Sequence, residues 1–445
     1  MTLFSSFIAQ WMFKPLKCAI PSTRWLLIGV LLVAGCGGRK NASRMPDGRI
    51  PVRVYLMLIN PTQVGYYKWA EKEYEKRHPD TDIIIEQFPG SSLKDYEIKL
   101  RLRFASNDAP DVIHSVEAIA AFLSRKGLLA EAPSYIKDRV ENNSLNEMIR
   151  KAPYFNTDKL YGIATDVASV AMYYNKKHFR EAGLDPEKPP KTWDELLYDA
   201  EKLTKRDAYG NPTRAGLFVR KIGFKPGTAE KWLTFFVSAG GEVFNKDGTE
   251  VLIDSQAGRD ALNLYKTVLF DKKIDSVKLE GDQIGFGLGN VSILYRELHV
   301  RRWLKQTHPE IEFGVANLPV KVRSMAMAGT YMFSVSDMSP NKAQAWRFVE
   351  FTTSDEAYSK YCDPEGCIPT FKSVDAMPKY KNDKVLQVFA SQKLYSLENF
   401  PDSPRALELL GAYIEKFCYG ELTVDQTLAD ATRDMNALLG RNKKP

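Results

Sequence analysis

Apolar and polar positions along this chain repeat in a recognisable order. Val52-Arg53-Val54-Tyr55-Leu56-Met57-Leu58-Ile59 is a nearly unbroken apolar run that predicts a buried strand, stopped by Asn60-Pro61. Tyr66 to His78 follows with helical spacing, its aromatic residues on one side and its charges elsewhere, and ends at Pro79. Ile83 to Phe88 predicts a second strand, Asp95 to Ser106 a second amphipathic helix, and Asp111-Val112-Ile113-His114 the start of a third strand. Strands and helices alternating in this way predict βαβ units and a mostly parallel sheet.

The rhythm continues downstream. Ser169 to Tyr174 is strand-like, and Thr192 is placed to cap the next helix with Glu195 three residues on to close a capping box. Gly240-Gly241 ends the helix that holds Trp232, and Ser255 caps another running through Phe270. Further helices are predicted over Asn341 to Thr353, Arg405 to Tyr419 and Gln426 to Leu439. Neither an internal repeat nor a low-complexity stretch interrupts the pattern.

The first residues follow a different logic. Lys14, Lys17 and Arg24 precede the apolar run Trp25 to Leu31, then Leu32-Val33-Ala34-Gly35 and Cys36, with no acidic residue before Asp47. A basic region, a short apolar region and small residues at a cleavage point describe a secretion signal. The cysteine after the small pair resembles a bacterial lipobox, which implies cleavage before Cys36 and acylation there. The rival reading, a membrane-spanning anchor, falls short of the ~18–20 apolar residues that a span needs. Residues 1–35 are therefore expected to be a signal peptide and 36–49 a polar tether; a start at Met12 gives a more usual signal length.

Beyond the signal, about 410 residues remain, room for two or more core-bearing lobes of ~100–200 residues each. With 44% hydrophobic and 26% charged residues the composition is that of a globular protein. Three of the positive charges behind the formal +7 lie in the signal, and the rest interleave with acids, as in Glu71-Lys72-Glu73. That pattern suits a solvated helix face and argues against a nucleic-acid partner. Cys362 and Cys367 enclose a Pro/Gly turn, a small disulfide loop in an oxidising compartment; the competing metal site lacks clustered histidines. No nucleophile elbow, phosphate loop, dinucleotide fingerprint or zinc-protease motif is present, and the five histidines are scattered. Neither cofactor, metal nor catalytic residue is expected.

Residues Tyr161 to Lys205 carry a more specific signal. Tyr161-Gly162-Ile163-Ala164 leads to Tyr173-Tyr174-Asn175-Lys176, then Phe179, Ala182-Gly183-Leu184 and Pro189-Pro190-Lys191-Thr192-Trp193-Asp194-Glu195-Leu196. This resembles the core signature of the family 1 extracellular solute-binding proteins, the maltose-binding-protein-like receptors of ABC importers. Ala109-Pro110-Asp111, Ala239-Gly240-Gly241, Phe313 to Pro319 and Gly366 to Thr370 resemble further family segments. The resemblance implies an α/β, periplasmic-binding-protein-like fold: two α/β lobes with mixed, mostly parallel sheets joined by a multi-strand hinge. One lobe is expected to hold residues 50–166 and 331–366, the other 167–330 and 367–445.

In open α/β lobes a ligand lies beyond the carboxyl ends of the strands. That rule selects Asn60, Gln63, Ser115 and Glu117, with Asp166 at the hinge. The competing readings are turn formation for Asn60 and Gln63 and a helix start for Glu117. From the other lobe the resemblance implies Trp232, Tyr295, Arg296, Glu297 and Arg405, with Tyr331 at a predicted crossing between the lobes. Trp232 offers a flat face to a sugar ring or belongs to the core, and Arg296 meets an anionic group or pairs with Glu297. Arg296, Glu297 and His299 depart from the family pattern, which makes this site more charged and less aromatic than the family norm.

The expectation is a monomeric, non-enzymatic, extracytoplasmic receptor held to the lipid bilayer through acylated Cys36. It captures a small solute, a saccharide on family grounds, by hinge closure and presents it to an ABC permease. Arg296 and Arg405 raise a charged sugar or glycerophosphodiester as the alternative ligand. Two other classes stay open at this point: a receptor that signals to a membrane partner, and an extracytoplasmic hydrolase.

Overall fold

The computed structural model describes residues 44–57, 61–89, 93–155, 157–245, 248–365, 367–397 and 403–441. Cys36 with the signal, Asn60 and Gly366 lie outside the described residues.

The chain opens as β1 (Ile50–Leu56), α1 (Pro61–Arg77), β2 (Thr81–Gln87), α2 (Leu93–Ala105), β3 (Val112–Val116) and α3 (Glu117–Arg125). β1 lies between β2 and β3 and runs parallel to both, with Val52 beside Ile83 and Val54 beside Val112. Helices cover both faces of this sheet. Val52, Val54 and Leu56 join one core with Tyr67 and Tyr74, and Tyr55 joins another with Tyr96 and Ile113. A strand buried on both sides has no polar alternation, which is why its sequence is a continuous apolar run.

Two long strands then connect this sheet to the rest of the molecule. β4 (Ile163–Asn175) is followed by α4 (Trp193–Leu203), the hairpin strands β5 (Lys205–Arg206) and β6 (Pro212–Arg214), and α5 (Lys225–Ser238). Next come α6 (Gln256–Lys266), β7 (Ile293–Glu297), β8 (Phe313–Ala316), β9 (Ala326–Val335), α7 (Lys342–Thr352), β10 (Leu394–Tyr395), α8 (Ser403–Cys418) and α9 (Val424–Arg441). The main sheet has the order β2-β1-β3-β9-β4-β7, with β8 on β4 and β10 on β9. β9 pairs antiparallel with β3 from Val116/Tyr331 to Val112/Val335, and with β4 from Ile163/Phe333 to Ser169/Ala328. β4 continues past that contact to pair antiparallel with β7 from Val170/Glu297 to Tyr174/Ile293. Each strand thus starts in one α/β lobe and ends in the other.

The second lobe packs α5, α6, α8 and α9 around a core that includes fully buried Trp232, Leu233, Phe236 and Tyr265. Local chemistry fixes its helix starts. At α4 the Glu195 N–H donates to Thr192 Oγ1 at 3.2 Å, and the Thr192 N–H donates to Glu195 Oε2 at 3.2 Å. Cys362 and Cys367 are joined in a disulfide. β4 begins six residues earlier than its apolar run at Ser169, because Thr165, Asp166 and Ala168 are strand residues without a hydrophobic pattern.

Candidate functional site

A cavity of about 700 Å³ opens beside the β4–β9 crossing, with walls from both lobes. From the first lobe come Lys94 at the start of α2 and Glu117 at the start of α3; from the second come Glu230 and Lys231 of α5, Glu297 at the end of β7, and Leu407 of α8. Ala168 of β4 and Gly329 and Tyr331 of β9 lie between these walls.

Glu117 is buried, at 4% exposure. The Thr330 hydroxyl donates to its Oε2 at 2.7 Å, and the Ser396 hydroxyl stands 3.3 and 3.4 Å from its two oxygens. Its position as first residue of α3 also suits a carboxylate, since helix N-termini favour negative charge. The helix-start reading and the cavity position therefore hold together.

Across the cavity the charges form a chain. The Lys231 ammonium is in direct contact with the Glu297 carboxylate, which also accepts from Arg296 Nε at 2.8 Å. Arg296 in turn contacts Asp282, and Asp282 Oδ2 accepts from Arg220 Nη1 at 3.2 Å. Burial alone pushes the Glu297 carboxyl upward, but Lys231 and Arg296 outweigh it and hold the carboxyl well below the usual range. Glu230 faces the opposite balance: burial raises its carboxyl, with Lys231 offsetting only part of that. Glu230 has no side-chain hydrogen bond among the described residues.

Of the residues selected from sequence, Glu117, Glu297 and Tyr331 line this cavity. Others are placed elsewhere. Gln63 donates from Nε2 to the Tyr361 hydroxyl at 2.7 Å. Ser115 is fully buried, and Asp166 accepts the Val167 N–H at 2.8 Å near lobe-one tyrosines. Trp232 is fully buried and stacked on Phe236 with centroids 5.3 Å apart, so the sugar-stacking role does not fit its position and its core reading does. Tyr295 stacks on Phe235 at 4.9 Å and, with Arg296, sits behind the cavity wall. Arg296 is already engaged by Glu297 and Asp282. Arg405 is exposed on α8 outside the lining. Asn60 lies outside the described residues.

Glu230, Lys231, Thr330 and Ser396 were not selected from sequence. For the first two a signal existed: two adjacent charges stand directly before the stretch Trp232 to Val237, which is apolar except for Thr234. Thr330 and Ser396 carried none, since isolated hydroxyl residues are common in strands and loops. Among the described residues the cavity lining has no histidine or cysteine, and no group of three His, Cys, Asp or Glu side chains is placed to hold a metal ion. The wall offers carboxylates, an ammonium and hydroxyls. Such groups accept and donate hydrogen bonds to a polyhydroxylated solute. No helix among the described residues is long and apolar enough to cross a membrane.

The sequence signature of the bacterial extracellular solute-binding proteins matches residues 60–359. The maltotriose-binding protein of Pyrococcus abyssi is 26% identical over 361 residues, covering 78% of this chain and 72% of that protein. The multiple sugar-binding protein of Streptococcus mutans is 22% identical over 365 residues, covering 77% and 80%. Among solved structures, the cyclic alpha-maltosyl-1,6-maltose binding protein of Arthrobacter globiformis superposes with a TM-score of 0.74 at 21% identity, covering 88% of this chain and all of that one. A solute-binding protein of Thermotoga lettingae bound with alpha-D-tagatose gives 0.72 at 22% identity, with coverage of 88% and 100%. Both likenesses are of fold.

Proposed function

We propose, since this chain belongs to the bacterial extracellular solute-binding protein family, that it captures a saccharide in the cavity at the β4–β9 crossing and delivers it to an ABC permease. One observation carries this reading: acidic and hydroxyl groups from both lobes, Glu117 with Thr330 on one side and Glu230 with Glu297 on the other, face one 700 Å³ space. Carboxylates held as those of Glu117 and Glu297 are accept hydrogen bonds from sugar hydroxyls, and charge-assisted bonds are the stronger kind. The sugar-binding relatives support the same ligand class.

Lobe one is residues 50–166 with 331–366 and lobe two 167–330 with 367–445, and they close around the guest by bending at the crossing strands. A ligand touching both lobes favours the closed form through its extra contacts there. The permease reads that closed shape. The protein acts as a monomer without catalysis, tethered outside the cytoplasm by acylated Cys36. Arg296 and Arg405, the residues that raised an anionic solute, lend that alternative less support where they stand, one engaged by two carboxylates and the other outside the lining.

Thermal melting with maltotriose, tagatose and cyclic maltosyl-maltose tests the ligand class. Binding to the native state alone stabilises by about 2.7 kcal/mol at a hundredfold excess over Kd. A rise in melting temperature with at least one sugar is expected, and none with glucuronate or glycerophosphocholine. The reverse pattern replaces the saccharide by an anionic solute. For the anchor, Cys36→Ala is expected to move the protein from the membrane fraction to the soluble one and to abolish labelling by a radioactive fatty acid.

A further inference from the structure

Gly329 sits in the middle of β9, where a glycine weakens a strand and needs a reason. Three reasons are usual: a backbone conformation closed to other residues, a bulge, or close approach of something to the backbone. The first does not apply, because its φ lies outside the left-handed region. Nor does the second: Thr330/Val167, Gly329/Ala168 and Ala328/Ser169 pair in regular order, and the register shift of β4 lies between Ala164 and Asp166. The third is not met by the protein itself, since a Cβ added at Gly329 finds no atom within 4 Å.

What lies above Gly329 is the cavity. Gly329 and its cross-strand partner Ala168 are exposed, whereas Ala328, Thr330, Val167 and Ser169 on either side are buried. Side chains alternate between the faces of a strand, so the pair stands on the cavity face of the two crossing strands and contributes a single methyl group between them. Immediately beside it are Tyr331, Thr330 and Glu117.

We infer that Gly329 and Ala168 set the specificity of the site: their missing side chains leave a depression in the cavity floor that admits one ring of the solute onto the strand backbone. This rests on the saccharide reading above for the ligand class. The ring's edge then meets Tyr331, which stands two residues on along the same strand face, and its face lies on the flat peptide surface where aromatic residues are few. Larger residues at either position fill the depression and exclude the ring without disturbing the fold.

The rival account is that Gly329 is a hinge residue valued for backbone freedom. Ala168→Leu separates the two, because it fills the same floor and removes no glycine. The experiment measures melting temperature, alone and with maltotriose, tagatose or cyclic maltosyl-maltose, for the wild type, Gly329→Ala, Gly329→Val, Gly329→Leu and Ala168→Leu. Without sugar, Gly329→Ala is expected to melt within about 2 °C of the wild type or above it. With a sugar that shifts the wild type, the shift shrinks in the order Ala, Val, Leu at position 329, and both leucine variants bind about tenfold more weakly or worse.

Undiminished shifts in all variants overturn the inference and leave the saccharide reading standing. So does a full shift in Ala168→Leu alone, which returns Gly329 to the hinge. A ligand-free melting temperature more than about 4 °C lower in Gly329→Ala means that the fold itself requires the glycine, and overturns it too. If none of the three sugars shifts the wild type, the saccharide reading falls, and alkylation of Gly329→Cys decides the floor. Reaction with N-ethylmaleimide at least about tenfold faster than that of buried Cys418 supports open space above the strand, and an equally slow reaction removes it.

Discussion

The Thr330 hydroxyl donates to the Glu117 carboxylate at 2.7 Å, joining a crossing strand to the first turn of α3 at the cavity wall. The pair is sheltered, with Thr330 at 1% and Glu117 at 4% exposure. It aims the carboxylate from the lobe-one side at the same space that Lys231 and Glu297 face from the other lobe.

Thr330→Val keeps the shape and removes the donor. A buried hydrogen bond to a charged group contributes about 1.5–3 kcal/mol, and Ser396 retains part of the solvation of Glu117. The expected loss is therefore about 1–2 kcal/mol in urea unfolding. Sugar affinity is expected to fall as well, because Glu117 is no longer held in place. Unchanged stability together with unchanged affinity means that the bond is idle.

Lys231→Met breaks the second contact. Side-chain exposure is 6% for Lys231 and 21% for Glu297, so the carboxylate left behind is poorly hydrated. Breaking a buried pair costs about 3–5 kcal/mol, and the remaining Arg296 contact brings this to about 2–3 kcal/mol. Glu297 is also an acid-sensitive group. Its folded carboxyl lies below the ordinary 4.5, so its contribution is complete above that pH and is lost as pH falls below it. Urea midpoints measured from about pH 5 to about pH 3 are expected to fall less steeply in Glu297→Gln than in the wild type.

Two buried histidines act at milder pH. Burial lowers His114 to about 4, and burial aided by Arg214 lowers His178 to about 4, from an ordinary 6.5. Both stay neutral in the folded chain while the unfolded chain takes up protons. The contribution of these two imidazoles is therefore complete above pH 6.5 and declines as pH falls toward 4, by about 1.4 kcal/mol per pH unit for each. Asp199, whose carboxyl burial raises to about 6, opposes it between about pH 6 and 4. His114 lies 3.3 Å from Thr165 Oγ1, and His178 Nδ1 lies 3.0 Å from Ser292 Oγ. His114→Gln is expected to lessen the loss of stability on acidification by about 1.4 kcal/mol per pH unit relative to the wild type between about pH 6 and 4, read from urea unfolding at several pH values. An unaltered slope assigns the pH dependence to other groups.

Trp232→Ala is a test of core against site. Deleting a fully buried tryptophan costs about 3–5 kcal/mol. Trp232→Phe, which keeps the ring contact with Phe236, is expected to lose less and to bind sugar as the wild type does. Weakened binding in a stable Trp232→Phe protein returns the residue to the ligand.

Most of the architecture was legible along the chain. The opening strands announced themselves because they are buried on both faces, and Thr192 with Glu195 announced a helix start because capping is a four-residue affair. β9 was nearly silent: Ala326-Met327-Ala328-Gly329-Thr330 has no alternation, since each residue answers to a different neighbour at the crossing. The site was less legible than the fold. Helical spacing alone does not say which lobe surface a side chain meets, so Trp232 looked like a platform although its ring points into the second core.

By itself, then, the order of residues determined the βαβ run, the helix caps and the family signature, because these rest on contacts between near neighbours or on a pattern repeated along one strand. Only the tertiary structure decided which charges face the cavity and which are already neutralised. Glu117 meets Thr330 across 213 positions and Lys231 meets Glu297 across 66, and pairings at such distances depend on how the two crossing strands bring the lobes together.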